Sequence, residues 1–186
     1  MLDKPKIIVL GVGNLLLQDE GVGVHVVKTL NAILPLNETK GKNLNHNHPN
    51  LEIIDGGTSP EIASLVEDAD KLVIIDAVKG GKEPGTIYRF TIDEVEPGSP
   101  CSPEAPLLHK ETDFEISPKL SLHQMHIVDD LRMLSLVGKS PKNVIIIGIE
   151  PKTIELGLEL SPEIRSKIPE IIRLVKDEIQ QDISSP

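Results

Sequence analysis

Aromatic side chains are almost missing from this chain: two phenylalanines, one tyrosine and no tryptophan among 186 residues. A chain of this length is one domain with enough interior for a core, so that core must be isoleucine, leucine and valine. Cysteine is nearly absent too. The lone Cys101 excludes an internal disulfide framework and fits a reducing compartment. No apolar run reaches the roughly 18 residues of a membrane-spanning helix. The opening Met1-Leu-Asp-Lys-Pro-Lys6 carries no secretory segment, so a cytoplasmic location is expected. Positive charge is short as well, with 19 Lys and Arg against 29 Asp and Glu, a net charge of −10. Nucleic acid and anionic membranes need clustered cations and are not expected partners. Two familiar hydrolase signatures are also missing, the Gly-x-Ser-x-Gly elbow and the His-Glu-x-x-His helix.

What the chain does have is organised around Ile7 to Val24. Ile7 to Leu10 with Val12 reads as a strand buried on both faces, because its apolar residues do not alternate with polar ones. Gly11 and Gly13 let the backbone turn where a side chain would clash. The loop then delivers Asp19 and Glu20 to the start of a helix with apolar Val22, Val26, Val27, Leu30 and Ile33. An acid at a helix start is favoured by the macrodipole alone, so Glu20 has a purely structural explanation besides any functional one.

Further along, Leu51–Asp55 and Leu72–Val78 read as the second and third strands, with a helix between them capped at Thr58 or Ser59 and burying Ile62, Leu65 and Val66. Strand, helix, strand, helix, strand is the doubly wound α/β signature. Only Lys79 to Pro84 separate the third strand from Gly85–Ile92, too few for a crossover helix, so the fourth strand should be antiparallel and at an edge. A helix over 123–137, capped by Ser121 and closed by Gly138, leads to a last strand, Asn143–Ile149. Ser161-Pro162-Glu163 opens a C-terminal helix with the stripe Ile164, Ile168, Ile172, Val175 and Ile179, which Pro169 should kink or split. The expected fold is a single-domain, three-layer αβα sandwich on a five-stranded, mostly parallel sheet. Two segments read as flexible loops: the Asn- and Lys-rich 35–50, with His46 and His48, and the proline-rich, acidic 93–120.

Ligands in a doubly wound sheet bind beyond the carboxyl ends of the strands, where strand order reverses. With the first three strands in the order 2-1-3, that crevice lies between the first and third. Glu20 hangs after the first strand, Asp76 ends the third, and His123 opens a helix starting at the same edge. Two carboxylates and an imidazole form a ligand set suited to Ni²⁺, Zn²⁺ or Cd²⁺. Asp55 ends the second strand at this edge. It reads either as a strand-end carboxylate bonded to backbone or as a general base near the metal. His126 and Asp130, four apart on one helix, read as a surface hydrogen bond. Cys101 has no histidine placed to activate it as a nucleophile.

The opening Gly11-Val-Gly-Asn14 followed by Asp19-Glu-Gly-Val-Gly-Val24 resembles the hydrogenase maturation endopeptidases. Asp55-Gly-Gly-Thr58, Ile74-Ile-Asp-Ala77, Pro84-Gly-Thr86, Ser121-Leu-His-Gln124 and Gly148-Ile-Glu-Pro151 follow in the order of that family, spanning nearly the whole chain. The resemblance implies a peptidase of carboxylate (aspartyl) type that removes the C-terminal tail of the [NiFe]-hydrogenase large-subunit precursor once nickel is in place. It implies that Glu20, Asp76 and His123 contact the nickel, that the metal comes with the substrate, and that there is no organic cofactor. A monomer is expected. Segments 35–50 and 93–120 depart from the family pattern and bear on the identity of the substrate.

Two other classes of function fit parts of the same residues. A dinucleotide-binding module shares Gly11-x-Gly13 and an acid after the second strand, but the third glycine position holds Leu16 and Asp55 lies too far along. A non-catalytic nickel metallochaperone would use the same trio without cutting. A protease with the same sheet and other peptide targets, of the spore type, is an alternative at the level of the fold.

Overall fold

Ile7–Val12 forms β1 at the middle of the sheet, buried along its whole length. Its residues divide between two cores, as strand alternation requires. Ile7 and Val9 pack on one face with Val22, Val26 and Leu30, while Ile8, Leu10 and Val12 pack on the other with Ile62, Ile127 and Leu131. The computed structural model describes residues 5–34, 36–39, 42–45, 48–59, 62–92 and 122–183. Within these, the side chains of 36–39, 42–45, 48–49, 92, 122–126, 128 and 181–183 lie outside the description.

The remaining strands are β2 (Leu36–Thr39), β3 (Lys42–Asn45), β4 (His48–Gly57), β5 (Lys71–Ala77), β6 (Ile87–Ile92) and β7 (Asn143–Ile149). The helices are α1 (Val22–Ile33), α2 (Ile62–Val66), α3 (Leu122–Leu136) and α4 (Pro162–Ile183). The sheet order is β2-β3-β4-β1-β5-β7-β6. Strands β4, β1, β5 and β7 are parallel neighbours, and β6 closes one edge antiparallel to β7. Helices α1 and α4 cover one face, α2 and α3 the other. The chain is therefore the expected α/β sandwich, with the first three core strands in the order 2-1-3.

Two expectations need correction. Segment 35–50, read as a loop, contains the antiparallel β2–β3 hairpin, which lengthens the five core strands to seven. Its Asn and Lys residues have low strand propensity. What recruits them is the otherwise open edge of β4, whose unpaired N–H and C=O groups β3 takes up. Nor is α4 split at Pro169, for Pro162–Ile183 is one helix. Pro169 and Arg165 are both exposed, so the carbonyl that Pro169 deprives of its donor lies on the solvent face, where water replaces the bond. Segment 93–120 falls outside the described residues, as do Ser121, His46 and Cys101.

Candidate active site

The loop after β1 is shaped by two glycines. Gly13 adopts φ +133°, and a Cβ there would sit 1.9 Å from the Glu20 carbonyl oxygen. The Glu20 backbone therefore rests directly on Gly13. A short turn of 3-10 helix, Gln18–Gly21, carries Glu20 and runs into α1. One turn on, a Cβ on Gly23 would meet the carbonyl oxygens of Ile75 at 2.1 Å and Val12 at 2.4 Å. Only glycine lets α1 start this close to the ends of β1 and β5, and this contact sets Glu20 beside the carboxyl end of β5.

Asp76 is the last residue but one of β5, and it is 1% exposed. Its Oδ1 accepts the Ala77 N–H at 2.8 Å. Leu72 and Ile74 face α2 and α3, so alternation turns Asp76 to that same face. Helix α3 covers it. Six residues join the end of α3 to the start of β7, which places the helix C-terminus at the amino edge of the sheet. Fifteen residues of helix span about 22 Å, close to the ~23 Å of the seven-residue β5. The first turn of α3, which holds His123, therefore lies toward the carboxyl edge of the sheet, the edge that ends with Asp76 and Ala77. His123 and His126 are placed here by their backbone alone.

Asp55 lies elsewhere. It shares the alternation of Leu51 and Ile53, which face α1 and α4, and its Oδ2 is 3.7 Å from the Lys28 ammonium of α1, both side chains about half exposed. The two similar strand ends, Ile-Ile-Asp-Gly and Ile-Ile-Asp-Ala, thus aim their carboxylates at opposite faces. Among the described residues no three His, Cys, Asp or Glu side chains gather into a metal site. The set Glu20, Asp76 and His123 includes a side chain outside them.

Sequence reasoning assigned no role to Asp19. It is completely buried. Its Oδ2 accepts the main-chain N–H groups of Lys152 and Thr153, both at 3.0 Å, and the Ser161 hydroxyl at 2.9 Å, while Oδ1 accepts the Ser161 N–H at 2.7 Å. The partners lie 133 to 142 residues away, so nothing local marks them. Glu150, inside a quoted motif, also had no assigned role. It is buried, and its Oε2 accepts from Tyr88, Gly80 and Lys82. Between Lys79–Gly81 and Glu150–Ile154 opens a cavity of about 480 Å³, at the carboxyl edge that also carries Asp76. Leu16, Leu156 and Leu158 stand exposed on the loops Asp19 ties together.

A family model described as hydrogenase maturation protease matches residues 24–100 and 109–178. The chain belongs to the hydrogenase maturation protease family. The hydrogenase expression/formation protein HupD of Thiocapsa roseopersicina is 32% identical over 183 residues, covering 97% of this chain and 71% of the relative. The hydrogenase 2 maturation protease of Escherichia coli K12 is 32% identical over 167 residues, covering 88% and 84%. Among solved structures, the hydrogenase maturating endopeptidase HybD from E. coli superposes with a TM-score of 0.71 at 28% identity, covering 95% of this chain and 93% of that one. As a member of the maturation protease family the chain is a peptidase, which sets aside the dinucleotide module and the non-catalytic chaperone. Among the described residues, no helix is long and apolar enough to cross a membrane.

Proposed function

We propose that this peptidase trims the C-terminal tail of a [NiFe]-hydrogenase large-subunit precursor and that it reads the nickel the precursor carries. The observation that supports it most is the convergence at one sheet edge. Glu20 rests on Gly13 at the end of β1, Asp76 is buried at the end of β5, and α3 begins toward that same edge with His123 in its first turn. The donor set is two carboxylates and one imidazole, which suits a divalent cation of the nickel and zinc kind. Two carboxylates brought together without a cation repel one another. A cation arriving with the substrate relieves that repulsion, so a precursor lacking nickel engages the site poorly.

In this reading Glu20, Asp76 and His123 contact the substrate's metal and hold the scissile bond in a set place relative to the β1 loop. The cavity between Lys79–Gly81 and Glu150–Ile154 receives the peptide beyond that bond. Asp55 points to the other face of the sheet, where it pairs with Lys28, and takes no part in contacting the metal. The test is cleavage of purified precursor, nickel-loaded and nickel-free, followed by mass spectrometry. Loss of a C-terminal peptide from the loaded form alone is expected. Equal cleavage of both forms would sink the metal-reading part of the proposal.

A further inference from the structure

We infer that Asp19 is a positioning residue for the cut. Its carboxylate fastens the loop after β7 to the loop after β1 as one piece, and so sets where Glu20 stands. The inference rests on the role proposed for Glu20 above.

A fully buried carboxylate is costly unless its oxygens are supplied with donors. Asp19 has four: the N–H groups of Lys152, Thr153 and Ser161 and the Ser161 hydroxyl. The Lys152 ammonium turns instead to Glu163 at 2.5 Å. Dipoles therefore carry the compensation, among them the amino end of the 22-residue α4, which starts just after Ser161. Only a carboxylate accepts this many donors. An asparagine would turn an NH₂ group toward N–H groups.

The same two loops are joined again further out. Gln18 N–H donates to the Gly157 carbonyl at 2.9 Å, and Gly157 N–H donates to the Leu16 carbonyl at 3.0 Å. Glu20 follows Asp19 directly. Its N–H bonds the Leu17 carbonyl at 3.2 Å and its own carbonyl lies against Gly13 with no room for a Cβ. The segment has no slack, so a displacement of Asp19 passes to Glu20. A misplacement of about 1 Å at a reacting group can cost on the order of 100-fold in rate.

The experiment compares Asp19→Asn, Ser161→Ala, Ser161→Thr and Glu20→Gln with wild type. Single-turnover cleavage of nickel-loaded precursor, precursor affinity and the thermal midpoint are measured on each preparation. Per folded molecule, Asp19→Asn should cut about 100-fold more slowly and Ser161→Ala about tenfold more slowly, with affinity for the precursor little changed. Ser161→Thr, which keeps the hydroxyl, should restore the rate. If Asp19→Asn does not fold, the Ser161 pair decides. A lowered midpoint with a wild-type rate per folded molecule in both Asp19→Asn and Ser161→Ala would make Asp19 merely structural and overturn the inference. If Glu20→Gln is dead in that same experiment, the role of Glu20 survives. Wild-type enzyme that leaves the loaded precursor intact would overturn both.

Discussion

The Tyr88 hydroxyl donates to the Glu150 carboxylate at 2.5 Å, and the oxygen it meets also accepts the N–H of Gly80 at 2.7 Å. One buried carboxylate thus joins the start of β6, the loop after β5 and the end of β7. This shapes the wall of the cavity. Burial and the adjacent Glu150 push the Tyr88 phenol up from 10.0 to about 12.

Tyr88 is the sole tyrosine and there is no tryptophan, so an ultraviolet absorbance titration reads it without interference. The midpoint should fall near pH 12. The folded protein holds the proton more tightly than the unfolded one, so this contribution to stability is complete below pH 10 and is lost as pH rises from there through about 12. Tyr88→Phe should flatten that part of the stability curve. A midpoint near 10 would contradict the buried contact with Glu150.

At the opposite end of the sheet, Lys71 is 3% exposed. Its ammonium bonds the Glu178 carbonyl at 2.7 Å and lies 3.3 Å from the Glu178 carboxylate, which also accepts from Arg89 at 2.6 Å. Burial by itself would raise the Glu178 carboxyl, but Arg89 and Lys71 bring it below the ordinary 4.5. Its stabilising effect is therefore present above pH 4.5 and disappears as pH falls below that value. Glu178→Ala leaves the buried ammonium without its counter-charge and should cost about 3–5 kcal/mol in urea unfolding, whereas Lys71→Met with Glu178→Leu should recover much of the loss. Cleavage per folded molecule should not change, because the network is remote from Glu20 and Asp76.

Gly23→Ala should destabilise the fold by at least about 1–3 kcal/mol, since its Cβ would meet two backbone carbonyls rather than flexible side chains. A thermal midpoint equal to wild type would show that α1 starts further from β5 than described.

Much of this was legible in the chain. The apolar run Ile7 to Leu10 is continuous because both faces of β1 are covered, and the α4 stripe shows because only one face of that helix is. The same continuity hid which face each strand-end acid takes. Asp55 and Asp76 end near-identical runs, yet the faces they point to depend on which helices cover their strands, and strands buried on both sides carry no alternation to read. The hairpin in 35–50 was illegible because its strands form on an edge supplied by β4 rather than through their own propensity. Asp19 was visible only as a neighbour of Glu20, for its four bonds close over more than 130 residues.

Cleavage of nickel-loaded precursor by the Glu20→Gln, Asp76→Asn and His123→Ala variants, beside wild type in one mass-spectrometric time course, tests the central claim most directly. With wild-type circular dichroism in each variant, all three should leave the precursor uncut while wild type releases the C-terminal peptide. Release at the wild-type rate by any one of the three would remove that residue from the site, and release by all three would place the metal-reading chemistry elsewhere on the molecule.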